Sequence, residues 1–154
     1  MLEVTSHNKL KSLLKEIPST SENLTLSRLI GRSLRKKEKT LIQLDVNTQN
    51  IWWPSLLIPL YLVKGEKVLA LSNEQREHLI KIEIPRLKKY GFNIKLWEES
   101  YPPKKSELWV LNYKEILDLF YKKNLKSTQI IFPGAENLNY NLREEMSLKF
   151  SPSD

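Results

Sequence analysis

The sequence of 154 residues contains no cysteine and only two histidines. Without cysteine, the chain has no disulfide framework, no thiol nucleophile, and no cysteine ligands for zinc or an iron–sulfur cluster. His7 and His78 stand among polar or charged neighbours, and we interpret both as solvated surface residues. Two such imidazoles leave little from which to build a histidine-based metal site.

The sequence also has no hydrophobic run long enough to cross a bilayer. Its longest apolar stretch, residues 51–63, is shorter than the roughly 20 residues that a spanning helix needs, and it contains Pro54 and Pro59. The first residues lead into a polar stretch without the pattern of a signal peptide. We therefore expect a soluble, cytoplasmic protein. A composition that is 40% hydrophobic fits one domain with a substantial core.

Positive charge is in excess, because 25 lysines and arginines face 18 acidic residues and leave a net charge of +7. This excess favours an anionic partner, with nucleic acid first and an acidic membrane second. The densest basic tract consists of Arg32, Arg35, Lys36, Lys37 and Lys39. Cations suit the carboxyl end of a helix, which explains part of the tract. The tract is also the best candidate for contact with phosphate groups, so both interpretations stay open.

Short apolar runs alternate with amphipathic segments along the chain. The apolar runs predict strands at residues 40–44, 68–71, 93–97, 108–111 and 128–132. Apolar residues at helical spacing predict helices at residues 5–17, from about 25, and at 51–63, 73–90, 113–122 and 143–148. We expect Thr25 to cap the second helix and Pro85 to kink the helix at 73–90. The alternation predicts an α/β three-layer sandwich with a mostly parallel sheet of about five strands.

The stretch 128–138, TQIIFPGAENL, stands out because a buried strand ends abruptly in Pro133-Gly134 and is followed by polar residues. In α/β folds, the carboxyl ends of parallel strands form the edge at which ligands bind. Asp45 and Glu136 are both expected at this edge. They could form a catalytic pair, but polar residues left at such an edge are solvated in any case, and we favour that interpretation.

Four segments, in order, resemble the first RecA-like domain of superfamily 2 DNA helicases of the DEAH-type, DinG-like branch. They are TLIQLDVNTQNIWWPSLLIPL, VLALSNEQREHLIKIEIPRL, LWVLNYKEIL and IIFPGAENL. The resemblance extends from residue 25 to about residue 138, and the order and spacing of the segments carry it. It implies a P-loop NTPase-like fold. We accordingly divide the chain into an amino-terminal helix and linker (1–24), a RecA-like domain (25–150) and a frayed tail or the start of a further segment (151–154).

The family binds ATP and magnesium, but this chain departs from its motifs. A phosphate-binding loop needs glycines, a lysine and a hydroxyl residue. The aligned positions hold Asn47, Gln49, Ile51, Trp52 and Trp53, and only Thr48 matches. Pro133 and Gly134 stand where the family has the magnesium-binding aspartate and the glutamate that orients water. We expect no cofactor and no ATP hydrolysis. The remnant of the nucleotide site would comprise Thr48, Gln49, Asn50 and Glu136.

The resemblance also implies positions that contact nucleic acid. Ser72, Asn73 and Asn112 match family positions that touch the nucleic-acid backbone, although serine and asparagine also serve as turn and capping residues. Trp52 and Trp53 either fill the vacated phosphate pocket or form a platform on which bases stack.

The expected function is that of a degenerate helicase-like module which binds single-stranded or forked DNA without hydrolysing ATP. We expect it to be the amino-terminal part of a longer protein with a second RecA-like domain downstream, and to have no membrane partner. Two alternatives stay open. The chain is a divergent, active ATP-dependent DNA helicase whose catalytic groups come from another segment, or it is a protein-interaction scaffold.

Overall fold

The computed structural model describes residues 2–15, 21–44, 52–99, 101–104, 107–122 and 129–146. Its helices are α1 (Leu2–Leu14), α2 (Ser21–Lys36), α3 (Trp52–Leu62), α4 (Asn73–His78), α5 (Ile84–Lys89), α6 (Tyr113–Tyr121) and α7 (Leu138–Met146). A π-helical segment, Leu79–Glu83, joins α4 to α5, and a 3-10 turn, Ala135–Asn137, precedes α7. The strands are β1 (Lys67–Leu71), β2 (Leu96–Trp97), β3 (Leu108–Asn112) and β4 (Gln129–Ile131). Within these ranges, no helix combines the length and apolar character needed to cross a bilayer.

The four strands form one parallel sheet in the order β2-β3-β1-β4. β1 is central, with Leu69 opposite Val110 of β3 on one side and Ile131 of β4 on the other. All five residues of β1 are buried. A parallel strand buried on both faces is typically apolar throughout, which explains the run Val68 to Leu71.

Helices cover both faces of the sheet. Alternate side chains of β1 and β3 point to opposite faces, so that Leu69 and Val110 join one core and Val68 and Trp109 join the other. On the helical side, the first core contains residues of α1, α2, α3, α5 and the π-helical segment, while the second contains residues of α6 and α7. The predicted α/β architecture, with a parallel sheet between helices, is therefore confirmed.

Helix α3 is buried along nearly its whole length, from Trp53 to Leu60. It carries no charged residue and packs against α1 and α2 while contributing to the core beneath the sheet. A helix that is apolar all round requires such enclosure. Its amino end lies near the carboxyl edge of the sheet, where Trp53 approaches His78, and its carboxyl end leads through Gly65 into β1.

The predicted strand at 40–44 is not a strand, and the described residues form a sheet of four strands rather than about five. The segment has no regular secondary structure, and the Leu41 side chain is 84% exposed. Both sides of β1 are already occupied, by β3 and β4. A β-branched sequence favours a strand only when a partner strand and a core face are available, and these five residues pair with none of the described strands.

Several helix boundaries also differ from the prediction. α2 begins at Ser21, so Thr25 lies inside the helix instead of capping it. Pro85 lies in the first turn of α5, and the turn before it is the π-helical segment. That segment includes Lys81, whose carbonyl is the one that the ring of Pro85 crowds, so the irregularity lies where a proline at 85 disturbs a helix. The last helix spans Leu138–Met146 rather than 143–148.

Two leucine-to-alanine substitutions test the placement of residues 40–44. Leu41→Ala is expected to change the free energy of unfolding by less than about 0.5 kcal/mol, because the side chain is already exposed. Leu69→Ala in β1 is expected to cost about 2–5 kcal/mol, because it leaves a cavity at a fully buried site. Urea unfolding followed by circular dichroism measures both. A cost above about 2 kcal/mol for Leu41→Ala would show that the segment is part of the core.

Candidate functional site

Because all four strands run in the same direction, the sheet presents two distinct edges. The carboxyl edge carries Asn112, the last residue of β3, together with Ser72 after β1 and Pro133 after β4. The amino edge carries the residues that precede them, including Gly65, Glu66 and the first residue of β4, Gln129. The predicted site residues are divided between these two edges.

At the carboxyl edge, two capping boxes use the polar residues that follow β1 and β3. The Ser72 hydroxyl accepts from the Gln75 backbone N–H at 3.2 Å, and the Gln75 side chain accepts in return from the Ser72 N–H at 3.1 Å. The Asn112 side chain accepts from the Glu115 N–H at 2.8 Å, and the Glu115 carboxylate accepts from the Asn112 N–H at 2.7 Å. The two capping boxes mark the starts of α4 and α6. In each box, side chains accept from backbone N–H groups that have no partner within the helix.

Two side chains of α4 then link the loops after all four strands. The Gln75 amide donates to the Pro133 carbonyl at 3.3 Å, which connects β1 to β4. The Arg76 guanidinium lies 3.2 Å from the Glu98 carboxylate, just after β2, and 3.7 Å from the Glu115 carboxylate, just after β3. The polar groups at this edge are therefore engaged with one another, which stabilises the edge and reduces what is available to a ligand.

A second polar group lies within the π-helical segment. The Glu83 carboxylate is 1% exposed, and it contacts Nε2 of His78 at 3.1 Å and a guanidinium nitrogen of Arg86 at 3.2 Å. His78 is thus a structural partner of a buried carboxylate, not simply a solvated surface residue. His7 is half-buried, and its Nδ1 has no hydrogen-bond partner among the described residues.

The tryptophan pair is part of the core. Trp53 is buried and stacks on Trp52 with ring centroids 4.3 Å apart, and its ring lies 6.0 Å from that of His78. Stacking on each other occupies one face of each ring. This arrangement favours the packing interpretation of Trp52-Trp53 over a base-stacking platform.

The predicted remnant of a nucleotide site is only partly visible. Thr48, Gln49 and Asn50 lie outside the described residues, as does Asp45. Glu136 is exposed in the 3-10 turn after Gly134, whose φ of 79° is in the left-handed region that glycine tolerates. Among the residues that the structure describes, no group of three or more histidines and carboxylates could hold a metal ion.

The amino edge contains a cavity of about 550 Å³ that is half open to solvent. Three cationic residues line it: Arg35 and Lys37 at the end of α2, and Lys64 in the turn between α3 and β1. Leu34, Leu62 and Val63 supply the apolar lining, and Gly65, Glu66 and Gln129 complete it. The cavity therefore combines an excess of positive charge with an apolar wall.

The end of α2 places Lys37 in an unusual backbone conformation. The Lys37 N–H donates to the Leu34 carbonyl and the Glu38 N–H to the Ser33 carbonyl, which is the Schellman pattern of helix termination. This pattern requires a left-handed residue, and Lys37 has a φ of 55°. α5 ends with the same pair of bonds but uses Gly91, at a φ of 82°.

Lys67 stabilises the wall of the cavity from behind. Its ammonium, at the start of β1, donates to the Val63 carbonyl and, at 3.0 Å, to the Gly65 carbonyl. Burial lowers the pKa of the Lys67 ammonium below its ordinary value. These bonds satisfy two carbonyls of the turn between α3 and β1.

The structure separates the predicted nucleic-acid residues into two groups. Arg32, Arg35, Lys36, Lys37 and Lys39 cluster at the end of α2, although Lys36 pairs with Glu38 at 3.4 Å. Ser72, Asn73 and Asn112 lie at the opposite edge of the sheet, and two of these three are capping residues. Sequence reasoning missed Lys64 and Gln129, which only the fold brings to the cavity. The capping partners Gln75 and Glu115 had a sequence signal, a Ser or Asn followed three residues later by Gln or Glu.

Comparison of the chain with protein-family models, curated proteins and solved structures finds no match. The resemblance to the helicase domain therefore depends on the four sequence segments alone.

Three alanine substitutions distinguish capping from ligand contact at the carboxyl edge. Ser72→Ala and Asn112→Ala are each expected to lower the free energy of unfolding by about 0.5–2 kcal/mol, because each removes a helix cap. Asn73→Ala is the matched control, since Asn73 is exposed and makes no capping bond. Its effect should stay within about 0.5 kcal/mol in urea unfolding. Equal effects at Ser72 and Asn73 would contradict the capping assignment.

Proposed function

We propose that this protein binds the phosphate backbone of nucleic acid through the amino edge of its sheet, and that it does so without hydrolysing ATP. The contact surface comprises the basic end of α2 together with Lys64. DNA is the polymer that the resemblance to a degenerate RecA-like helicase domain implies. The surface differs from the one that the resemblance suggests, since Ser72, Asn73 and Asn112 lie at the other edge.

The conformation of Lys37 carries the proposal. A left-handed backbone costs a residue other than glycine roughly 1–2 kcal/mol. The equivalent position of α5 avoids this cost by using Gly91. Strained backbone of this kind tends to occur at functional sites, where a particular side chain is needed. Here the residue in the left-handed conformation is Lys37 instead of glycine, and it lines the rim of the cavity.

The electrostatic environment supports the same conclusion. Lys37 and Lys64 form no ion pair with any carboxylate in the part of the chain that is described. Lysines without carboxylate partners are free to exchange counterions for phosphates, which is the main source of affinity for nucleic acid. At the carboxyl edge, by contrast, Arg76 is held by Glu98 and Glu115.

Lys37→Gly separates function from stability. The substitution is expected to raise the free energy of unfolding by about 0.5–1 kcal/mol, because it relieves the left-handed strain at some cost in chain entropy. It should weaken binding to a 12-nucleotide single strand about fivefold at 0.1 M salt, the effect of one lost phosphate contact. Urea unfolding and fluorescence anisotropy measure the two effects.

Lys36→Gly is the matched control for that substitution. It removes the same charge one residue earlier, but it lies within α2 and should cost up to about 1 kcal/mol of stability. If both variants lost stability, or if Lys37→Gly left the affinity unchanged, Lys37 would have no special role.

A charge-reversal variant tests the whole surface. Replacing Arg32, Arg35 and Lys37 by glutamate should abolish most of the affinity for oligonucleotides. It should also reduce the slope of log affinity against log salt by about two, since about 0.7 ion is released per phosphate contact on a single strand. The control variant reverses Lys88, Lys89 and Lys114, which are exposed elsewhere and give the same change in net charge. Equal losses in both variants would show that only net charge matters.

Nucleotide titration tests the other half of the proposal. ATP with magnesium should bind this chain no more tightly than other polyanions do, and no phosphate should be released. Magnesium-dependent ATP turnover would establish the alternative, an active and divergent helicase domain.

A further inference from the structure

The cavity at the amino edge has more structure than contact with a phosphate backbone requires. Backbone contact needs only exposed cations, as on a convex basic surface. This site is a recess between the end of α2, the α3–β1 turn and the start of β4, and part of its wall is apolar. Leu34 and Leu62 contribute that wall from two different helices.

We propose that this cavity holds one unpaired nucleotide of a single-stranded nucleic acid, with the phosphate on the cationic rim and the base against the apolar wall. The inference rests on the proposed function and specifies its substrate as single-stranded. Arg35, Lys37 and Lys64 contact the phosphate, and Leu62 and Val63 contact the base.

The size of the cavity fits a whole nucleotide. Its volume of about 550 Å³ lies within the range of roughly 300–1,000 Å³ that is typical of small-molecule sites. Phosphate alone would leave most of that space, including the apolar wall, without a partner. A base face placed against Leu62 and Val63 leaves water for an apolar surface, which is favourable.

The recessed shape selects against duplex DNA. A base in a duplex is stacked and paired, and it enters a recess only after unstacking at a cost of a few kcal/mol. An unpaired base in a single strand avoids most of this cost. The cavity therefore favours a single strand over a duplex, and it does so without contacts to base edges in a groove.

The remaining polar groups suit a base better than a second phosphate. Glu66 repels phosphate, which confines the phosphate to the part of the rim where the cations predominate. A carboxylate accepts a hydrogen bond from the exocyclic amine of a base such as cytosine, and the Gln129 amide both donates and accepts. Cytosine is therefore a suitable probe base.

The test compares two fluorescent single-stranded 12-mers of equal phosphate charge, oligodeoxycytidine and an abasic strand, with a 12-base-pair duplex, which carries two backbones. The unmodified chain is expected to bind oligodeoxycytidine about tenfold more tightly than the abasic strand, as burial of one base face provides. Binding of the duplex, which comes from its phosphates alone, should be unchanged in Val63→Phe, because its bases stay paired and none enters the cavity. Anisotropy at fixed salt measures all three affinities.

Val63→Phe should fill part of the cavity and reduce the affinity for oligodeoxycytidine to that for the abasic strand, while leaving the abasic affinity unchanged. Gln129→Leu, which removes the amide without filling the space, should have an intermediate effect. Ile82→Phe is the control, because Ile82 is exposed outside the cavity and the substitution adds a similar volume. Circular dichroism and urea unfolding verify that each variant is folded.

The outcomes separate the two proposals. Equal affinity of the unmodified chain for oligodeoxycytidine and the abasic strand overturns the proposed nucleotide site. If charge reversal at α2 then abolishes the binding of both strands, the proposal of phosphate-backbone binding still stands. An unchanged preference for oligodeoxycytidine in folded Val63→Phe also overturns it. If none of the three probes binds, both proposals fail.

Discussion

The burial of β1 on both faces is the constraint on which the rest of the structure depends. Each of its five residues is buried, so every neighbouring polar group must lie at an edge of the sheet or be paired. β3 and β4 take the two sides of β1, and helices take the two faces. Chemistry is thereby restricted to the two ends of the strands. At the carboxyl edge the polar groups bond to one another, whereas the amino edge carries an excess of positive charge.

The two edges differ because helix termini of opposite polarity meet them. α4 and α6 begin at the carboxyl edge, where their amide groups are satisfied by Ser72 and Asn112. α2 ends at the amino edge, and Lys67 donates there to two carbonyls of the turn after α3. Helix carboxyl ends stabilise cations through their dipoles. Lysines and arginines can therefore gather at this edge, and Lys37 and Lys64, which form no ion pair with a carboxylate of the described residues, leave positive charge available to an external anion.

Sequence alone predicts the parts of this molecule that depend on local pattern. The apolar run at Val68–Leu71 and the spacing within α6 predict a buried strand and an amphipathic helix because periodicity reflects burial directly. The same reasoning is wrong at 40–44, since strand formation also depends on tertiary packing, and this segment pairs with none of the described strands. The site shows the same limit. Arg35 and Lys37 are recognisable as a basic tract, whereas Lys64 and Gln129 join them only through the packing of α2 against the α3–β1 turn. Helicase ancestry remains a prediction.

The exposed run at 40–44 has a consequence for how the protein behaves at high concentration. Leu41 is exposed within an apolar, β-branched segment, and the outer side of β4 has no partner strand among the described residues. Unpaired edges and exposed segments of this kind invite pairing between molecules. Lys36, Lys37 and Lys39 stand immediately before the run, where charge acts as a gatekeeper against aggregation. We therefore expect self-association to increase when an anion neutralises these lysines.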